Sequence, residues 1–190
     1  MRFLESMQEF AYELKIPKER IAVLIGKEGK IKKEIEETTH TSIRIDSNDG
    51  DVFVTGEDAL SLYVTRDIIR AVGRGINPEV ALLLLKQDYL YEQINMTDFS
   101  KKTNHLVRLK GRIIGKNGRS RKTIEDLTEC HICVYGKTVS IIGQIEMVGL
   151  ARKAVESLLK GSPHSNVYKF LERQRRKLRL MDLEGKKQLM

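Results

Sequence analysis

Cysteine, histidine and long apolar runs are all scarce in this chain of 190 residues, which holds two Cys and four His. So few thiol and imidazole groups leave little material for a metal centre. Cys130-His131-Ile132-Cys133 has the spacing of half a zinc site, but no second Cys pair or distant His pair completes it. A buried or half-buried pair is expected there instead. No apolar run approaches the ~18 residues that a membrane-spanning helix requires. The opening residues, Met1 to Ser6, carry an early Glu5 and no apolar leader core, so no secretory signal is read. With two cysteines, this points to a reducing, cytosolic setting. Proline occurs three times, and Pro17, Pro78 and Pro163 each stand where a helix is expected to begin. Gly111 to Lys116 falls short of a P-loop, with Asn117 where a Mg²⁺-binding hydroxyl belongs. No nucleophile–base pair or carboxylate cluster stands out. Neither catalysis nor a cofactor is expected.

Positive charge is abundant and unevenly placed. The chain has a net charge of +8. Residues 1–76 carry 12 Lys and Arg against 14 Asp and Glu, and residues 77–99 carry 1 against 4. Residues 100–190 carry 21 against 8, so the basic character belongs to the second half. Such asymmetry points to an anionic partner on that half, since phosphate neutralisation dominates nucleic-acid affinity.

A repeat organises the chain. Val23-Leu24-Ile25-Gly26-Lys27-Glu28-Gly29-Lys30 returns 89 positions later as Arg112-Ile113-Ile114-Gly115-Lys116-Asn117-Gly118-Arg119. At the same offset Lys33, Ile35, Glu36, Thr39 and Ile43 recur as Lys122, Ile124, Glu125, Thr128 and Ile132. After a two-residue shortening, Val52, Val54 and Gly56 recur as Val139, Ile141 and Gly143. Two tandem copies of one small fold are the simplest reading. In the first copy, alternation from Gln8 to Leu14 predicts a half-buried strand, followed by a helix from Lys18 into the glycine pair and a second helix from Lys30. Ile43 with Ile45, and Val52 with Val54, predict two strands around the Asn48-Asp49-Gly50 turn, and a helix runs to about Gly73. Asn77-Pro78 caps a short apolar helix in a bridge. A strand near Tyr91 to Met96 opens the second copy, and Ser162-Pro163 starts a basic helix to about Leu180, with Asp182 to Met190 a frayed end. The expected units are 6–76, a bridge at 77–89, 90–161, and a basic helix and tail at 162–190.

The two glycine-pair loops resemble the GXXG signature of KH domains, whose loop clamps the backbone of about four single-stranded nucleotides. The order of elements resembles type I. The resemblance implies an α+β chain of two tandem type I KH domains (β-α-α-β-β-α), each a three-stranded sheet with helices on one face, plus the basic helix. Glycine lets a phosphate come close to the backbone, and the next helix begins at the loop, presenting unpaired N–H groups and its positive dipole end. The implied RNA-binding residues are Lys110, Arg112, Gly115, Lys116, Asn117, Gly118, Arg119 and Lys122, with the bases beside the middle strand around His131 to Tyr135. Gly26, Lys27, Glu28, Gly29 and Lys30 form a secondary set. Around the second loop Lys110, Arg112, Lys116, Arg119, Arg121 and Lys122 meet no acid until Glu125, whereas Glu28, Glu34, Glu36 and Glu37 offset the first. The second copy is therefore expected to be the principal clamp.

Taken together, the unequal pair resembles the archaeal counterpart of the partner-of-Nob KH proteins of small-subunit ribosome assembly. That resemblance implies single-stranded ribosomal RNA near the 3′ end of the small-subunit RNA as ligand. It implies as partners a PIN-domain endonuclease that matures this end and the alpha subunit of archaeal initiation factor 2. Eukaryotic relatives tend to have a degenerate first loop, whereas Gly26 to Gly29 is intact here. An exosome-type or general RNA adaptor, or a protein-interaction scaffold with a basic surface, are the alternatives. Neutralising Lys116 is expected to cost more RNA affinity than neutralising Lys27; a larger loss at Lys27 in a binding titration overturns the ranking.

Overall fold

The computed structural model describes the backbone of residues 10–188 and the side chains of residues 10–181. The start of the first expected strand, at Gln8 and Glu9, lies outside the described residues, as do Leu189 and Met190. The chain divides between Tyr89 and Leu90 into two compact units.

The first unit runs β1 (Phe10–Lys15), α1 (Lys18–Ile25), α2 (Lys30–Thr39), β2 (Ser42–Asp46), β3 (Asp51–Gly56) and α3 (Ala59–Gly73). Its antiparallel sheet has the order β1-β3-β2. Ile43, Val52 and Val54 turn inward and pack with Leu24, Ile35, Leu62 and Ile68, all buried. Side-chain alternation on the strands and helical spacing on α1–α3 thus meet in one core with the helices on one face. The expected half-buried first strand is more open than its pattern suggests. Phe10 and Tyr12 are exposed because β1 is an edge strand, and the Arg66 guanidinium lies 5.3 Å from the Tyr12 ring. The short α4 (Pro78–Ala81), capped by the Asn77 side chain, and the turn Leu82–Leu85 pack on α3.

The second unit repeats the plan with β4 (Tyr89–Asn95), α5 (Thr103–Ile114), α6 (Arg119–Thr128), β5 (His131–Tyr135), β6 (Thr138–Gln144) and α7 (Ile145–Leu159). Its sheet has the order β4-β6-β5. The strand expected through Met96 ends one residue earlier; Met96 enters a 3-10 turn and its N–H donates to Lys137 O at 2.9 Å. The core gathers Ile113, Ile124, Ile132, Ile141, Val148 and Leu158, and extends to Val167 and Leu171 of α8 (His164–Gln188). α8 therefore packs on α6 and α7 rather than standing in solvent. It also continues past Leu180 where a frayed end is expected. Residues 181–188 contain no proline, and the single Gly185 costs only about 1 kcal/mol in a helix interior.

Several repeated residues outside the loops prove to be fold determinants. Glu36 accepts the Ile43 N–H at 2.7 Å and Glu125 accepts the Ile132 N–H at 2.8 Å, each clipping the second helix of its unit to an edge strand. Thr39 and Thr128 each donate to the carbonyl four residues back, at 2.7 Å. Gly56 and Gly143 recur because the residue that opens β2 or β5 lies against them: an added Cβ would meet Thr41 Cγ2 at 3.1 Å and Cys130 Sγ at 2.5 Å.

A second shared device is invisible to the repeat alignment. Arg20 donates to Val72 O at 2.8 Å and Ile76 O at 2.9 Å. Arg112 donates to Leu158 O at 2.9 Å and Ser162 O at 2.6 Å. Each guanidinium fork ties the helix before the loop to the carboxyl end of the last helix, satisfying orphan carbonyls where positive charge is also favoured by the helix dipole. At the 89-residue offset Arg20 matches Leu109, so the fork has moved one turn along its helix. This corrects the expectation for Arg112, whose charged end serves the fold and not the loop. Replacing Arg20 or Arg112 by Ala is expected to destabilise the chain by about 2–4 kcal/mol in urea unfolding, two charge-assisted bonds being lost in each case. Losses below about 0.5 kcal/mol, the scatter of surface substitutions, contradict the role.

Candidate nucleic-acid interface

The two loops have nearly the same backbone. Gly26 and Gly115 both sit at φ 73°, Glu28 and Asn117 at φ 55° and 53°, and Gly29 and Gly118 at φ 77° and 75°. Three left-handed residues in four reverse the chain between two helices and start the second helix at once. The glycines of each pair do different work. A Cβ on Gly115 would lie 2.6 Å from Ser120 Cβ and 2.8 Å from Ser120 N, so this position is closed by packing as well as by φ. In the first unit Ile31 occupies the same place against Gly26, at 2.5 Å. Gly29 and Gly118 have nothing within 4 Å of an added Cβ. These second glycines face open space, and it is here that a phosphate can approach the backbone.

Because the backbones match, the difference between the loops is chemical. Asn117 is a residue type that tolerates the left-handed region, whereas Glu28 occupies it with a longer side chain and a negative charge. Lys116, Asn117, Arg119, Arg121 and Lys122 are exposed, and Lys110 is half-buried on α5. Ile113 is buried in the core while Ile114 is 37% exposed, an apolar platform at the loop's entry. Lys27, Glu28 and Lys30 are likewise exposed, and Lys32 pairs with Glu36 at 3.6 Å.

A groove of about 630 Å³ runs from Asn117 and Gly118 past Arg121, Lys122 and Glu125 to His131. β5 is the middle strand in chain order but an edge strand in the sheet, which leaves its outer side open to this groove. The charge census is also altered by folding. Glu125, Asp126 and Glu129 line the same groove, so its far end is not purely basic. Arg121 pairs with Glu125 at 3.5 Å, and Glu129 meets Arg175 of α8 at 3.3 Å. Arg121 and Arg175 are the groove-side cations that the sequence-level list lacks. For Arg121 the signal is its exposed place one turn into α6; for Arg175 no local signal exists. The corresponding cavity of the first unit, about 480 Å³, is lined by Glu36, His40, Thr41, Ser42, Thr55, Gly56 and Glu57, with no Lys or Arg. Cys130, at the floor of the second groove, is buried and donates to Thr128 O; desolvation pushes its thiol up to about 11, away from the reactive thiolate. Cys133 is half-buried.

Residues 90–176 match a family profile described as a eukaryotic type KH-domain (KH-domain type I), and residues 11–71 match one described as a KH domain. KH domain-containing protein MJ0443 of Methanocaldococcus jannaschii is 49% identical over 170 residues, covering 87% of this chain and 74% of that protein. The pre-rRNA-processing protein pno1 of Aspergillus fumigatus is 33% identical over 114 residues, covering 58% of this chain. This chain spans about half the length of that eukaryotic relative, 45% of it. Among solved structures, the a/eIF2alpha-aDim2p-rRNA complex from Pyrococcus horikoshii holds a chain 46% identical with a TM-score of 0.84, covering 91% of this chain and 98% of that one.

The unequal packing of the two glycines has a measurable consequence. Gly115→Ala is expected to cost about 2–5 kcal/mol, combining left-handed strain with a clash at the first turn of α6. Gly118→Ala carries only the strain, about 1–2 kcal/mol. Equal losses in urea unfolding would contradict the division of roles.

Proposed function

This chain belongs to the tandem KH-domain family of archaeal Dim2p and eukaryotic PNO1, and from that premise we propose that it binds single-stranded RNA of the small ribosomal subunit near its 3′ end during ribosome maturation. The observation that carries the reading is the second loop: an open Gly118 flanked by exposed Lys116, Arg119 and Lys122, at the head of a groove that an open strand edge borders. Phosphates seat on the loop and the first turn of α6, and bases lie over Ile114 and along β5, where edge groups can read them. The first unit has the same loop backbone without the net positive charge, so it orients the second or adds a weaker contact. Within this reading residues 90–161 are the principal module, 6–76 the companion, 77–89 the bridge, and 162–190 an appended helix.

The proposed partners follow the relatives. The Pyrococcus complex pairs aDim2p with a/eIF2alpha and rRNA, which supports the alpha subunit of initiation factor 2 as a partner here. The pre-rRNA-processing relatives support assistance to a PIN-domain endonuclease at the 3′ end. The protein acts by binding, without catalysis of its own, in the cytoplasm; no helix among the described residues is long and apolar enough to cross a membrane.

Crosslinking to total cellular RNA followed by sequencing of the bound fragments tests the reading. The expected result is a dominant peak in the 3′ region of the small-subunit ribosomal RNA, lost in Lys116→Glu/Arg119→Glu. A dominant peak in another RNA overturns the ribosomal assignment and leaves the KH mode of binding standing.

A further inference from the structure

We propose that Arg175, Arg176 and Arg179 of α8 form a phosphate-binding track that continues the groove of the second loop, lengthening the RNA footprint beyond the ~4 nucleotides of a KH clamp. This rests on the reading of the second unit as the RNA clamp.

The three arginines share a cavity of about 290 Å³ with Leu127 of α6, Glu172 and Leu180. α8 is held in place by Val167 and Leu171, both buried in the core of the second unit, so the cluster has a defined position beside α6. Glu129 belongs to the lining of the loop groove, and Arg175 reaches it at 3.3 Å, so the two cavities meet at this pair. α6 starts at the GXXG loop and ends beside the cluster, ten residues or about 15 Å later. A few nucleotides of extended chain bridge that distance.

The charges suit a phosphate better than they suit each other. Glu172 is the single acid of the α8 cavity against three arginines. The Arg175–Glu129 pair is solvent-accessible, with side chains 32% and 73% exposed, and such pairs contribute at most about 1 kcal/mol. A phosphate offers Arg175 a bidentate partner in place of Glu129. Leu180, also exposed, adds an apolar surface beside Arg176 and Arg179 against which a base can rest. The placement is selective as well: the first unit has no long helix after α3, only α4 and the Leu82–Leu85 turn, and its loop is the one carrying Glu28. The basic helix therefore accompanies the basic loop.

The test is fluorescence anisotropy with the full chain and two RNAs cut from the 3′ end of small-subunit ribosomal RNA, about five and about twelve nucleotides long. The wild-type chain is expected to bind the longer RNA about tenfold more tightly. Arg176→Glu/Arg179→Glu is expected to keep the short-RNA affinity, lose most of that increment, and lower the salt slope on the longer RNA by about two. Both arginines are exposed, and Arg176→Gln/Arg179→Gln, which keeps good helix formers, gives the same ordering with a smaller loss if the reversal disturbs α8. Equal wild-type affinity for the two lengths overturns the track. So does unchanged long-RNA affinity in both variants, which assigns the cluster to an acidic protein surface instead. Failure of the wild-type chain to bind either RNA is a different result: it overturns the clamp reading, and the track with it.

Discussion

Each unit depends on a chain reversal made in four residues, three of them left-handed. Only that backbone lets one helix end and the next begin with its free N–H groups turned to solvent. It holds because the first glycine is roofed by the first turn of the following helix, Ile31 in one unit and Ser120 in the other. Put a side chain there and the two helices separate; the rest of the unit, from the Glu clip onto the edge strand to the core beneath, is built on their fixed angle. Ser120 Oγ is buried without a partner among the described residues, so the loop of the more basic unit is closed at some cost in polar satisfaction.

Given one backbone used twice, function is assigned by side chains alone. Asn117 meets the left-handed region with little strain and no charge, and Glu28 meets it with both. The cavities beside the loops repeat the contrast, one with Arg121 and Lys122 in its lining and one without any Lys or Arg. A duplicated fold thus supplies two similar platforms, and a few substitutions separate an RNA clamp from a companion module. The same economy explains why so many recurring residues lie away from RNA: Glu36 and Glu125, Thr39 and Thr128, and Gly56 and Gly143 hold strands and helices together and would recur in a unit that bound nothing.

Most of the architecture was legible in the residues. The 89-residue echo, the alternation of Val52 and Val54, and the caps at Asn77 and Pro163 are local patterns, and the elements form where they indicate. The misses are instructive. β1 shows an alternation that an edge strand does not bury. Gly185 was read within a frayed tail although one glycine rarely ends a helix. Arg112 stands beside the loop in sequence and yet points to the carboxyl end of α7, because residues one turn apart on a helix face share a direction that adjacent residues do not.

The sequence by itself determined the two reversals and the sign of charge at each, since left-handed conformers, helix starts and ionised groups are properties of neighbouring residues. Only the tertiary structure decided which charges share a space. It drew Arg112 and Arg20 to carbonyls about fifty residues away, gathered Glu125, Asp126 and Glu129 into the RNA-facing groove, and brought Arg175 to Glu129 across 46 residues. Those juxtapositions are set by how α7 and α8 pack on the helices of the loop, and no spacing along the chain encodes them.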